Sequence, residues 1–154
     1  MDMYSVVLAI HSWVRWGTLL LAVVATMSAV RCPVPSSGPL PPSWWDRLFM
    51  HAIDAQVLFG VLLYFGLSPF TRQAMENMGA AMSSPAIRFW AFEHVAGMTA
   101  AFVLVRMGRV FAMNSATPVA ARNRRAICFA LATVVMIVSI PWPGLANGRP
   151  LFRF

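Results

Sequence analysis

Four long apolar segments dominate this sequence and leave few folds open to it. They cover residues 4–30, 48–67, 89–105 and 126–142. As helices with a rise of about 1.5 Å per residue, they are long enough to cross a hydrocarbon core of about 30 Å. Only 11% of the residues are charged and 59% are hydrophobic, whereas a soluble domain has about 25% and 45–50%. The sequence therefore predicts an all-α integral membrane protein, a single domain over residues 1–154 built as an up-down-up-down bundle of four transmembrane helices.

The connections between these segments differ in character. Residues 32–43 are rich in proline, which excludes a regular helix or strand there. Residues 68–84 carry methionines at helical spacing, which predicts a short helix at the membrane interface over about 71–82. No basic residue precedes the first segment and Arg15 interrupts it, so we expect a retained helix and not a cleaved signal peptide.

The twelve basic residues are all arginines, and their distribution predicts an orientation. With four spans, one side of the membrane holds seven of them, Arg31, Arg47, Arg106, Arg109, Arg122, Arg124 and Arg125, and the other holds four, Arg72, Arg88, Arg149 and Arg153. The richer side is expected to face the cytoplasm, which places both termini in the periplasm of a bacterial inner membrane. Positive charge beside apolar spans indicates contact with lipid headgroups, and nucleic acid is not an expected partner.

Several polar side chains lie within the apolar segments, where they are costly and mark candidate functional positions. His11 and Arg15 belong to the first segment, and Glu93 and His94 to the third. The second segment carries His51, Asp54 and Gln56. Because an unpaired charge at this depth costs several kcal/mol, roughly, we expect ion pairs between Arg15 and Glu93 and between Asp54 and Arg106, with Gln56 as a further structural polar group.

His11 and His94 form the most informative pair. Both enter from the same side and lie about 10 Å inside it, at 1.5 Å per residue, whereas His51 lies at the opposite level. Two imidazoles at one depth in a four-helix bundle suit the axial ligation of a haem b iron. Gly97 would let the ring approach the helix, and Arg15 could meet a haem propionate instead of Glu93. The alternative is that each histidine makes an ordinary interhelical hydrogen bond.

Five motifs follow one another along the chain: HSWVRW at 11–16, DAQVLFGVLLYFGLSPF at 54–70, RFWAFEH at 88–94, RMGR at 106–109 and IPWP at 140–143. Their order resembles a family of small four-span bacterial membrane proteins, many of which are labelled cytochrome b. The resemblance covers nearly the whole chain and retains His11, Arg15, Gln56, Gly60, Tyr64, Arg88, Glu93 and His94. The family pattern has a histidine two residues before the glutamine, where this chain has Asp54, with His51 nearly one turn away.

These observations leave three functional hypotheses. The first is a haem b membrane cytochrome that transfers electrons, with His11 and His94 as iron ligands and Arg15 and Gly97 beside the cofactor. The second is a non-catalytic accessory subunit of a larger respiratory or photosynthetic membrane complex, with other subunits as partners. The third hypothesis is a small transporter or proton channel that uses Glu93 and Asp54. It is weaker than the other two because these carboxylates lie at different depths. None predicts an independent catalytic activity.

Overall fold

The computed structural model describes residues 2–36, 38–41, 43–145 and 147–152, and all regular structure in these ranges is helical. The four long helices are α1 (Met3–Arg31), α2 (Trp44–Leu62), α6 (His94–Met113) and α7 (Pro118–Val138). Three short helices connect α2 to α6: α3 (Pro69–Glu76), α4 (Met78–Ser83) and α5 (Pro85–Arg88). Two π-helical turns, Leu63–Leu67 and Phe89–Glu93, continue α2 and precede α6. The predicted all-α fold is confirmed.

Side-chain caps and prolines fix where several helices begin. The Asp2 carboxylate accepts a hydrogen bond from the backbone N–H of Ser5 at 3.0 Å, as an N-cap should. Hydrogen bonds from Ser5 hold the pKa of Asp2 below its ordinary value, so that its negative charge lies at the positive end of the α1 dipole. Thr117 caps α7 in the same way, with Pro118 at the first helical position, where its missing N–H costs nothing.

The connection between α2 and α6 is more broken than the sequence indicates. One interfacial helix was expected over about 71–82, but the helix ends at Glu76 and a new one begins at Met78. The backbone of Asn77 is extended, and its side chain accepts a hydrogen bond from the N–H of Ala80 at 3.0 Å. An asparagine that can cap the next helix therefore divides the segment in two.

The four long helices form a ring in which each contacts the helices next to it along the chain, and α7 closes the ring on α1. Neighbouring long helices are antiparallel, because contacts further along one of them lie earlier in the other or in its flanking residues. The pairs of contacts are His11–Gln56 and Ser28–Ser43, Asp54–Arg106 and Tyr64–Ala91, His94–Ser139 and Gly108–Cys128, and Trp16–Trp142 and Thr26–Thr133. The four long helices therefore alternate in direction along the chain. The contact between α6 and α7 is the most extensive and that between α2 and α6 the least.

The packing has small residues inside and large aliphatic residues outside. The buried core includes Ala22, Ala25, Ala29, Ala101 and Ala132, packed around the edge-to-face rings of Phe49 and Phe129. Leu20, Leu58, Val103 and Val138 are all exposed. This arrangement, with large apolar side chains on the outside, suits a bundle that is surrounded by lipid, in which small residues let the helices approach closely.

Three helical segments are long and apolar enough to cross a membrane: Met3–Arg31, Trp44–Leu67 and Pro85–Met113. The sequence predicted narrower second and third spans, 48–67 and 89–105, because the ends of these helices contain polar residues that interrupt the apolar pattern. The fourth predicted span, 126–142, coincides only in part with α7, which starts at Pro118 and ends at Val138. Arg122, Arg124 and Arg125 lie near the start of α7 and lower its apolar character. Length and composition therefore make three of these helical segments candidate membrane spans.

Gly108 lies at a close contact between α6 and α7. A Cβ atom at this position would lie 2.9 Å from Cys128 Cβ and 3.3 Å from the Phe129 ring. A Cβ atom at Gly17 on α1 would meet nothing within 4 Å. The two glycines therefore form a matched pair, one needed for packing and one not.

We expect Gly108→Ala to lower the free energy of unfolding by about 1–3 kcal/mol, because the added methyl group overpacks the α6–α7 contact. Thermal unfolding of the purified protein in detergent measures the change. Gly17→Ala is the control and should be neutral or slightly stabilising, since alanine favours a helix interior. Equal effects of the two substitutions would contradict the close packing of α6 on α7.

Candidate functional site

A cavity of about 550 Å³ lies between the long helices, in the half of the bundle that contains the first turns of α6. Its lining is mostly apolar and comes from α1, α2, both π-helical turns, α3, α6, α7 and the C-terminal segment. Six larger polar side chains also line it: His11, Arg15, Gln56, Tyr64, His94 and Arg149. The volume lies within the range of about 300–1,000 Å³ that is typical of ligand and cofactor sites.

The two π-helical turns border this cavity between α2 and α6, the pair of neighbouring long helices that has the least extensive contact. Leu63, Tyr64 and Phe65 of the first turn and Trp90 of the second line the space. The Tyr64 hydroxyl donates to the backbone carbonyl of Ala91 at 3.1 Å, which joins one turn to the other. Isolated π-helical turns occur frequently at functional sites because they re-aim the side chains of a helix.

His94 has one nitrogen fixed and the other directed to the cavity. Its Nδ1 lies 2.8 Å from the backbone oxygen of Ser139. Because a carbonyl oxygen only accepts hydrogen bonds, Nδ1 carries the proton. Nε2 has no hydrogen-bond partner among the described residues and is not sealed by packing. A neutral imidazole held through Nδ1–H, with Nε2 bare, is the usual state of a metal-ligating histidine.

His11 is held differently. The Gln56 Nε2 amide lies 3.1 Å from His11 Nε2 and 3.2 Å from the His11 backbone oxygen. An amide nitrogen only donates, so His11 Nε2 accepts and its proton lies on Nδ1. Both His11 Nδ1 and Gln56 Oε1 are buried without a partner among the described residues. Gln56 thus occupies one of the two ring nitrogens through which His11 could bind a metal.

The glycines near the histidines have different neighbours from those expected. Gly97 was predicted to let a cofactor approach α6, but a Cβ atom there would meet the Ser139 hydroxyl, and Gly97 does not line the cavity. Gly60 of α2 does line it, and a Cβ atom at this position would lie 3.5 Å from the His11 ring. Gly97 therefore allows α6 to pack on the end of α7, whereas Gly60 lies against the His11 ring.

The expected ion pair between Arg15 and Glu93 is not formed. Glu93 accepts from Arg88 at 2.7 Å, because the π-helical turn brings residue 93 back over residue 88 of the same helical segment. The Arg15 guanidinium lines the cavity and donates to the backbone oxygen of Leu151 at 2.9 Å. Arg88 and not Arg15 is thus the partner of Glu93, which depth alone could not distinguish; the alternative partner of Arg15, a carboxylate of a haem, stays a prediction.

The other expected pair is present, and the structure adds a second pair that sequence reasoning missed. Arg106 of α6 bonds to Asp54 of α2. Arg125 of α7 bonds to Asp46 of α2 at 2.9 Å, with side chains only 6% and 14% exposed. Asp46 and Arg125 lie at the ends of predicted spans, where a charge normally meets water, so nothing in the sequence marked them as buried. His51 is exposed and does not line the cavity.

The C-terminal segment folds back over the α1 side of the cavity, a contact that the sequence did not indicate. The Leu151 oxygen accepts from Trp16 Nε1 at 3.0 Å as well as from Arg15, and the Phe152 ring packs on Trp13 and Trp16. The guanidinium of Arg149 lies over the rings of Phe70 and Trp90. Gly144, with φ of +90°, makes the turn that this path requires. The glycine and proline residues after the IPWP motif indicate a turn, but they do not indicate where the segment packs.

Comparisons of the chain with protein-family models, curated proteins and solved structures found no match. The resemblance to the four-span cytochrome b-like family therefore rests on the sequence motifs. Within the described ranges, no three histidine, cysteine, aspartate or glutamate side chains converge as a metal cluster. A metal in the cavity would need further ligands of its own, as the iron of a porphyrin has.

The hydrogen bonds between Gln56 and His11 give a test of the site that requires no ligand. We expect Gln56→Leu to lower the free energy of unfolding by about 1–2 kcal/mol, because His11 Nε2 then lies buried without a donor. Thermal unfolding in detergent measures the change. Gln73→Leu on the exposed face of α3 is the control and should stay within about 0.5 kcal/mol of the wild type. If the two variants lose the same stability, Gln56 does not hold His11 in place.

Proposed function

We propose that this protein is a haem b-binding membrane cytochrome-like subunit in electron transfer, with the haem in the cavity between His11 and His94. The observation that carries the proposal is the His94 imidazole, whose Nδ1 is fixed by Ser139 and whose Nε2 is left for a ligand on the cavity side. The volume of about 550 Å³ and the apolar lining support it further. Haem bound there would accept and release single electrons.

The residues of the chain fit such a group through three kinds of contact. His94 would ligate iron through Nε2, while the bond to Ser139 fixes a proton on Nδ1 and orients the ring. Arg15 and Arg149 both line the cavity and carry the charge that carboxylate groups of a haem need. His11 would become the second ligand only after Gln56 releases Nε2, or after the ring turns and the Nδ1 proton moves to Nε2.

The optical spectrum of the purified protein tests this proposal. We expect the reduced-minus-oxidised difference spectrum of a b haem from protein produced in a haem-replete host. His94→Ala should abolish it, because the oriented ligand is lost. His11→Ala should turn a six-coordinate low-spin spectrum into a high-spin one. His51→Ala is the control and should leave the spectrum intact, since His51 lies outside the cavity.

Protein that carries no haem even after reconstitution would overturn the proposal and favour the second candidate, a non-catalytic accessory subunit of a respiratory or photosynthetic complex. One observation favours that candidate already. The bonds from His11 to Gln56 and from His94 to Ser139 each join two segments of the bundle and serve packing without any ligand. Such a subunit should migrate with a larger complex on native gels of solubilised membranes.

We also propose that α7 crosses the membrane with the three apolar helical segments, in a bacterial inner membrane with both termini in the periplasm. In support, α7 closes the ring of long helices, and large aliphatic side chains on its outer face, such as Leu131 and Val134, are exposed. The orientation follows from the excess of arginines at one end. Arg153, which was counted at the other end, lies outside the described residues.

Cysteine labelling in intact cells tests this orientation. Cys32 is partly exposed in the arginine-rich half, and Cys128 is buried, so Cys32 should react with a permeant maleimide but not with an impermeant one. Ser83→Cys in a Cys32→Ser background moves the reactive thiol to the α2–α6 connection, where the impermeant reagent should reach it. Labelling of Cys32 by the impermeant reagent would contradict the orientation.

A further inference from the structure

The arginine-rich end of the bundle carries more positive charge than the chain neutralises. Of its seven arginines, Arg106 and Arg125 are paired with Asp54 and Asp46. The other five are Arg31, Arg47, Arg109, Arg122 and Arg124, and no described carboxylate lies within 4 Å of any of them. Asp46 and Asp54, the two acidic residues of this half, are thus both in ion pairs already. The remaining cations are therefore available to pair with anions from outside the chain.

One of these arginines lies in a cleft. The cleft has a volume of about 200 Å³ between the end of α1 and the start of α7, and its lining is Val30, Arg122, Asn123, Ala126 and Ile127. Arg122 donates through Nε and Nη2 to the Asn123 side-chain oxygen, at 3.2 Å each. That acceptor is neutral, so the guanidinium keeps its full charge, and its Nη1–Nη2 edge, which Asn123 does not use, is a planar pair of donors that suits a phosphate group.

An apolar strip continues from this cleft along both helices. On α7 the exposed residues Ile127, Leu131, Val134 and Val138 follow one face at helical spacing. On α1 the exposed Val30 and Met27 do the same. From residue 127 to residue 138 the strip on α7 is about 16 Å long at 1.5 Å per residue, close to half of a hydrocarbon core of about 30 Å. Its length therefore matches the acyl chains of a single leaflet.

We propose that this cleft binds an anionic phospholipid, with its phosphate at Arg122 and its acyl chains along the α1–α7 groove. A guanidinium at the top of an apolar strip fits an amphiphile whose charge and tails are arranged in the same order. A zwitterionic lipid brings its own cation and leaves the charge excess unchanged, whereas phosphatidylglycerol reduces it. The proposal depends on the membrane insertion of α7 proposed above and is independent of haem.

Native mass spectrometry of the full-length protein, released from phosphatidylcholine–phosphatidylglycerol nanodiscs, tests the proposal. We expect phosphatidylglycerol to be retained at least about fivefold over phosphatidylcholine, since one arginine near an anionic lipid contributes about that factor. Arg122→Gln should lower phosphatidylglycerol retention about fivefold and leave phosphatidylcholine retention unchanged. Arg122→Lys keeps the charge and should retain more than Arg122→Gln, which keeps the test informative if the glutamine variant folds poorly.

The control is Arg72→Gln, at the opposite end of the bundle. Arg72 is exposed and donates to the backbone oxygen of Gly66, so its loss removes the same charge without touching the cleft. It should retain phosphatidylglycerol as the wild type does. Equal retention of the two lipids, or an equal loss in Arg72→Gln, would overturn the proposal. Displacement of the lipid by millimolar inorganic phosphate would show a site for free anions instead.

Discussion

Polar side chains within apolar helices must find their partners inside the chain, and the helix packing of this protein depends on that constraint. Each of the principal bonds joins two different segments: Asp46 with Arg125, Asp54 with Arg106, His11 with Gln56, and His94 with Ser139. A shift of either helix along its axis would leave a buried polar group without its partner, so these bonds fix the register of the bundle. The small residues of the core then allow the backbones to approach.

The cavity follows from an unequal distribution of these contacts. Gly97 and Gly108 let α6 pack tightly on α7, whereas the contact of α6 with α2 is the least extensive among the long helices. The space that remains is bordered by two histidines in different states, since Ser139 leaves Nε2 of His94 bare while Gln56 occupies Nε2 of His11. This difference makes His94 the stronger candidate ligand and makes Gln56 the residue that governs His11.

The two ends of the bundle have opposite characters. At one end, aromatic rings and the C-terminal segment cover the cavity, and Arg15 and Arg149 are engaged by Leu151, Phe70 and Trp90. At the other end lie five arginines with no described carboxylate within 4 Å, and one of them, Arg122, lies above an apolar strip. The two ends therefore suit different ligands: the mostly apolar cavity suits the cofactor proposed above, and the cationic rim suits an anionic lipid.

The sequence by itself determined the helical fold, the approximate long helices, the Asp54–Arg106 pair and the sharing of one level by His11 and His94, because hydropathy and depth are local properties of the chain. It could not determine which charge meets Glu93, since Arg88 and Arg15 are both within reach of that level. Nor could it show that Gln56 bonds to His11, that Gly97 faces Ser139 or that the C-terminal segment covers the cavity. These depend on the rotation of each helix about its axis and on a π-helical turn, which only the packing of all the helices together decides.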